Sequence, residues 1–145
     1  MITNPRLFQK FCLGACQAYV EPLHTQGKKV GSHTDGNLKR LASLLPETGL
    51  DVYESFSPQP LTDLSFEEGW NAWLDKGPIL WGGIPSSLLQ PEMPIEDLHF
   101  FLEKIFELIG DQPIILGIGD MVMSNNLIDR VRMIAGRVEA YAFPK

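Results

Sequence analysis

Lys29-Val30-Gly31-Ser32-His33-Thr34-Asp35-Gly36-Asn37 decides how this chain is read. Its first half, 29–33, has the look of a short buried strand. Gly36-Asn37 then turns the chain into a predicted helix whose apolar positions are Leu38, Leu41, Ala42 and Leu45. The strand thus delivers an imidazole and a carboxylate, His33 and Asp35, to its exit with a flexible glycine behind them. That is a plausible place for chemistry.

Three later apolar stretches have the same build. They are 51–56, 79–84 and 114–118, and each is followed by glycine, proline or serine. Between them the chain predicts helices. Ser65 and Glu68 form a capping box ahead of Phe66, Trp70, Trp73 and Leu74. Pro94 opens a helix with the apolar face Ile95, Leu98, Leu102, Ile105, Phe106 and Ile109, opposite the charged Glu96, Glu103, Lys104 and Glu107. Ser124 or Asn125 is the expected cap of a last helix carrying Leu127, Val131, Ile134, Ala135 and Val138, and 138–143 could serve as a fifth, closing strand. At the other end, Asn4-Pro5 starts a first helix, which Pro22 is expected to kink or end.

The expected fold class is therefore α/β. Strands that lack polar alternation and are separated by helices argue for a parallel sheet, here of four strand-helix units, or five with 138–143. Ligands of such sheets bind at the carboxyl ends of the strands. Those ends hold His33 and Asp35, Glu54 to Ser57, Trp81 to Pro85, with Gly83 among them, and Gly119-Asp120, so three acids and one histidine share a rim.

Composition narrows the chemistry. The 145 residues suffice for one domain, 1–145, and with 44% hydrophobic and 21% charged residues they are ordinary for a soluble globular protein. No apolar run approaches the length of a bilayer span and no leader precedes the first helix, so the expectation is a cytoplasmic protein with no membrane partner. A formal net charge of -6 without basic clusters argues against nucleic acid and for a small-molecule substrate. Cys12 and Cys16 lie four apart on a helix, a spacing poorly matched to a disulfide, and are expected to be reduced.

A histidine and two aspartates on one rim can bind zinc, with three protein ligands leaving a fourth position open to substrate. The competing reading is that Asp35 and Asp120 are helix or loop caps. Glu54 lies inside an otherwise apolar strand. Its expected roles are general acid/base, fourth ligand, or partner orienting His33, unless its tip is simply solvated. Trp81, beside Gly82-Gly83 at a strand end, is expected to line the substrate pocket together with Gly83, whereas Trp70 and Trp73 are expected to pack between helix and sheet. His24 is expected to be structural and His99 exposed.

Taken in order, His24-Thr25-Gln26-Gly27-Lys28, the run 31–37, Asp51-Val52-Tyr53-Glu54-Ser55-Phe56-Ser57-Pro58, Leu80-Trp81-Gly82-Gly83-Ile84-Pro85 and Leu116-Gly117-Ile118-Gly119-Asp120 resemble the uroporphyrinogen decarboxylase superfamily, which includes corrinoid-dependent methyltransferases. The resemblance spans nearly the whole chain but only the C-terminal half of that family's (β/α)8 barrel. It implies a fragment of a metal-dependent methyltransferase acting with a corrinoid, with a porphyrinogen carboxy-lyase fragment and a non-catalytic half-barrel assembly module as alternatives. In the family's zinc-dependent methyltransferases the ligands are a His-x-Cys and a later Cys. The matching positions here are His33, Asp35 and Asp120, so carboxylates replace both thiolates. The resemblance further implies a missing N-terminal half-barrel. Without it, apolar surface on Val52, Ile79, Leu80, Ile115 and Leu116 would meet water, unless a homodimer covered it.

Overall fold

A computed structural model describes residues 4–141. Its centre is one four-stranded sheet in the order β1-β2-β3-β4, formed by β1 (Gly31–His33), β2 (Val52–Phe56), β3 (Ile79–Pro85) and β4 (Ile114–Gly119). Every neighbouring pair is parallel. Helices alternate with the strands: α1 (Pro5–Leu7) and α2 (Gly14–His24), joined by a π-helical turn, come first, then α3 (Phe66–Trp73), α4 (Ile95–Ile109) and α5 (Ile128–Ala140). This is an α/β architecture consistent with half of a TIM barrel.

Residues paired across parallel strands point to the same face. Ser32, Tyr53, Leu80 and Ile114 are paired in one row, and Tyr53 and Leu80 are buried beneath the helices. Trp73 meets Tyr53 and Phe56 edge-on at 5.1 and 5.3 Å between ring centroids, and Leu98, Leu102, Ile105 and Ile109 of α4 complete this layer. The other face carries the rows Gly31-Val52-Ile79, His33-Glu54 and Trp81-Ile115. There Trp81 is 45% exposed and Ile115 42%. Of the five apolar residues expected to meet water, Ile115 does so most. Val52, Ile79 and Leu116 are half-buried, and Leu80 is covered by the helix layer.

Several local expectations change. No α-helix follows β1. The segment 39–44 forms turns and Leu45–Thr48 a 3-10 helix, with i to i+3 bonds such as Leu41 N–H to Leu38 C=O at 2.8 Å. Leu38, Leu41 and Leu45 are nevertheless buried, so the apolar spacing reported burial correctly although the backbone there is not α-helical. Pro22 lies within α2, which ends two residues later at His24, before Gly27 as expected: so close to the end, one missing hydrogen bond is tolerated. Residues 138–140 belong to α5 and not to a closing strand, and 142–143 of that expectation lie outside the described residues. Neither Ser124 nor Asn125 caps α5. Its N-cap is Leu127, and the Asn126 carboxamide closes the preceding turn by accepting from Met123 N–H at 2.7 Å. The capping box at Ser65 and Glu68 is present with both bonds, 3.1 and 3.0 Å. His99 is half-buried, within 3.3 Å of the Arg137 guanidinium.

Candidate functional site

β1 and β2 end side by side, with His33 opposite Glu54 in the register. Both side chains face the open side of the sheet, and Glu54 Oε2 lies 2.7 Å from His33 Nδ1. This hydrogen bond, more than any other influence, raises the affinity of His33 for a proton. Partial burial opposes it, and the charges of Glu54, Asp35 and Asp120 add to it. Because Nδ1 is engaged, Nε2 is the ring atom left for another partner.

The turn after β1 and the end of β4 bring in the two aspartates. His33, Asp35 and Asp120 each offer one ligand atom, and all three atoms lie within 4.8 Å of one another. Their residues are exposed, and among the described residues neither aspartate carboxylate takes part in a side-chain hydrogen bond. The capping role for Asp35 does not apply, since no α-helix follows it. A nitrogen and two carboxylate oxygens with room for a fourth ligand suit an open zinc site or a harder divalent ion, the thiolates that would favour zinc being absent.

Asp120 stands at φ 61, in the left-handed region, with its N–H donated to Ser55 Oγ at 3.0 Å. The role of Ser55 escapes sequence reading. Its one trace in the sequence is its place at the exit of β2, directly after Glu54.

Two clefts flank the three residues. One, of about 370 Å³, is lined by Asp35 and Asp120 together with the hydroxyl residues Ser57, Thr62, Ser86 and Ser87. The other, of about 560 Å³, runs from His33 and Asp35 toward Cys12, Cys16 and Leu38. Both cysteines are free and half-buried, and burial, with Cys12 adjacent, pushes the Cys16 thiol up and keeps it protonated. Trp81 and Gly83 line neither cleft. Trp81 lies on the open face of the sheet. Gly83, at φ 94, is turned to the helix layer, where a Cβ would stand 2.6 Å from the Phe66 ring.

His24 belongs to a different set at the opposite end of the strands. Asp51 accepts there from Lys29 Nζ at 2.9 Å and from Val30 N–H at 2.8 Å, and lies 2.7 Å from His24 Nε2.

No family model matches the sequence, and no curated protein matches it. Among solved structures, a methyltransferase from Methanosarcina mazei superposes with a TM-score of 0.68 at 20% identity, covering 97% of this chain and 39% of that one. The chain thus spans about two-fifths of the length of that structure. At such identity the likeness is one of fold: a methyltransferase-like α/β arrangement.

Proposed function

We propose that this chain is the metal-holding part of a methyl-transferring enzyme of the uroporphyrinogen decarboxylase superfamily, acting with a corrinoid carried by a partner protein. The observation that carries the proposal is the convergence of His33, Asp35 and Asp120 from two strand ends that are far apart in sequence. The fold likeness to a methyltransferase supports it. So does the Glu54 bond to His33, the kind of outer partner that fixes the tautomer of a ligating imidazole.

In this reading His33, Asp35 and Asp120 hold the ion, and the remaining part of a barrel supplies the rest of the substrate pocket. A bound zinc would lower the pKa of a substrate thiol so that it can accept a methyl group. Glu54 holds Nδ1 of His33, leaving Nε2 as the ring atom for the ion, and with its half-exposed carboxylate can take up the proton that the thiol releases. The hydroxyl-lined cleft beside Asp35 and Asp120 orients a small polar substrate.

Calorimetric titration with zinc tests the metal centre. The chain should bind one equivalent. Asp35→Ala and Asp120→Ala should each weaken binding at least tenfold while circular dichroism is retained. Absence of binding by the unsubstituted chain, or undiminished binding by either variant, would refute the proposal.

A further inference from the structure

β2 is irregular at the point where it reaches the site. Tyr53 pairs with Leu80 and Phe56 with Gly82, so three steps along β2 answer two along β3. The extra residue is a bulge, and it changes which face the later side chains take. In a regular strand Tyr53 and Phe56 would point to opposite faces. Here both are fully buried in the helix layer.

Ser55, inside the bulge, adopts φ 65 and is 2% exposed. Its hydroxyl accepts from the N–H of Asp120, 65 residues away. Ser55 and Asp120 are the two non-glycine residues with positive φ among the described residues, and this hydrogen bond joins them. Backbone strain of this kind persists where the surroundings enforce it, and it clusters at functional sites.

The contact has to pass over β3, which lies between β2 and β4. Gly82 and Gly119 make that possible. A Cβ on either would stand 2.6 Å from the Phe56 carbonyl oxygen, so the bulged end of β2 settles against two glycines and reaches β4. The same bulge follows directly on Glu54, the partner of His33. One irregularity therefore touches both sides of the candidate site.

We infer that Ser55 is a positioning residue. By holding the Asp120 N–H, its hydroxyl sets the left-handed turn that aims the Asp120 carboxylate at His33 and Asp35. The inference rests on the metal reading above and extends it to a residue that meets no ligand itself.

The test uses Ser55→Gly, because glycine adopts φ 65 without strain and the variant loses the hydroxyl together with the one carbon that carries it. Cobalt(II) is the probe, read by its visible absorption, alongside amide-proton NMR of the metal-free chain. The variant should keep its melting temperature, lose exchange protection at the Asp120 amide, and bind cobalt ten- to a hundredfold more weakly with an altered spectrum, the range usual for outer partners of metal ligands. Wild-type cobalt affinity and spectrum in a folded Ser55→Gly variant would overturn the inference, even if the Asp120 amide signal moved. Should the variant fail to fold, the unsubstituted chain decides: an Asp120 amide that exchanges as fast as those of Met121 and Val122 overturns the inference, and a protected one supports it. Failure of the unsubstituted chain to take up cobalt would instead refute the metal reading itself, a different result from retained affinity in the variant.

Discussion

Asp51 ties together three pieces of backbone at the lower end of the sheet, adding to main-chain bonds such as Lys28 N–H to Leu23 C=O and Val52 N–H to Val30 C=O. Its carboxylate meets the end of α2 through His24, the approach to β1 through Lys29 and Val30, and the start of β2 through its own main chain. Burial alone would raise its pKa. The hydrogen bonds from Lys29, Val30 and His24 overcome that and hold the carboxyl far below the ordinary range. A carboxyl whose pKa is lower folded than unfolded stabilises the fold above its unfolded pKa of about 3.9. That contribution is lost as pH falls below this value toward the folded one. Asp51→Asn should therefore cost about 1–3 kcal/mol at neutral pH, the usual worth of hydrogen bonds to a charged group. It should also flatten the acid side of the stability curve. Urea unfolding at pH 7 and at pH 3 checks both, and an equal loss at the two pH values would contradict the linkage.

At the scale of elements, the loop that follows β3 is fastened to α5 by a buried cation. Arg130 is 8% exposed and donates to Leu88 C=O at 2.7 Å and to Met93 C=O at 2.6 Å, while Leu127 N–H donates to Leu89 C=O at 2.9 Å. These bonds fix the segment carrying Ser86 and Ser87, which forms one wall of the cleft beside Asp120. Arg130→Met keeps the apolar stem but leaves two carbonyls without their donor, and it should cost about 3 kcal/mol in urea unfolding. A loss below about 0.5 kcal/mol would show that water replaces the guanidinium freely.

Across the whole molecule, the two faces of the sheet are unequal. The helix layer seals one. The other leaves Trp81 of β3 and Ile115 of β4 more than two-fifths exposed, and the edge strands β1 and β4 have no outer neighbour among the described residues. Unpaired edges and a contiguous apolar face invite association. A partner half-barrel or a second copy of the chain would satisfy edges and face together. Light scattering at micromolar concentration should show species heavier than one chain, and Trp81→Glu should shift them toward monomer. A stable compact monomer with full activity and no added partner would contradict this expectation. No helix among the described residues is long and apolar enough to cross a membrane.

Much of this was legible from residues alone. The four apolar runs marked the strands to within two residues, because fully apolar stretches bounded by glycine and proline have few other folded outcomes. The capping box at Ser65 and the apolar face of α4 were equally plain, being local hydrogen-bond and burial patterns. His33, Asp35, Glu54 and Asp120 could be assigned to one rim because a parallel sheet sends all its strand ends the same way. What the tertiary structure decided was everything that depends on neighbours distant in sequence. The segment after β1 buries its leucines without becoming an α-helix, since packing rewards burial of Leu38 and Leu41 whatever the backbone. The bulge that places Ser55 under Asp120 exists because Gly82 and Gly119 leave room for the Phe56 carbonyl, a coincidence of three strands that no local pattern can announce.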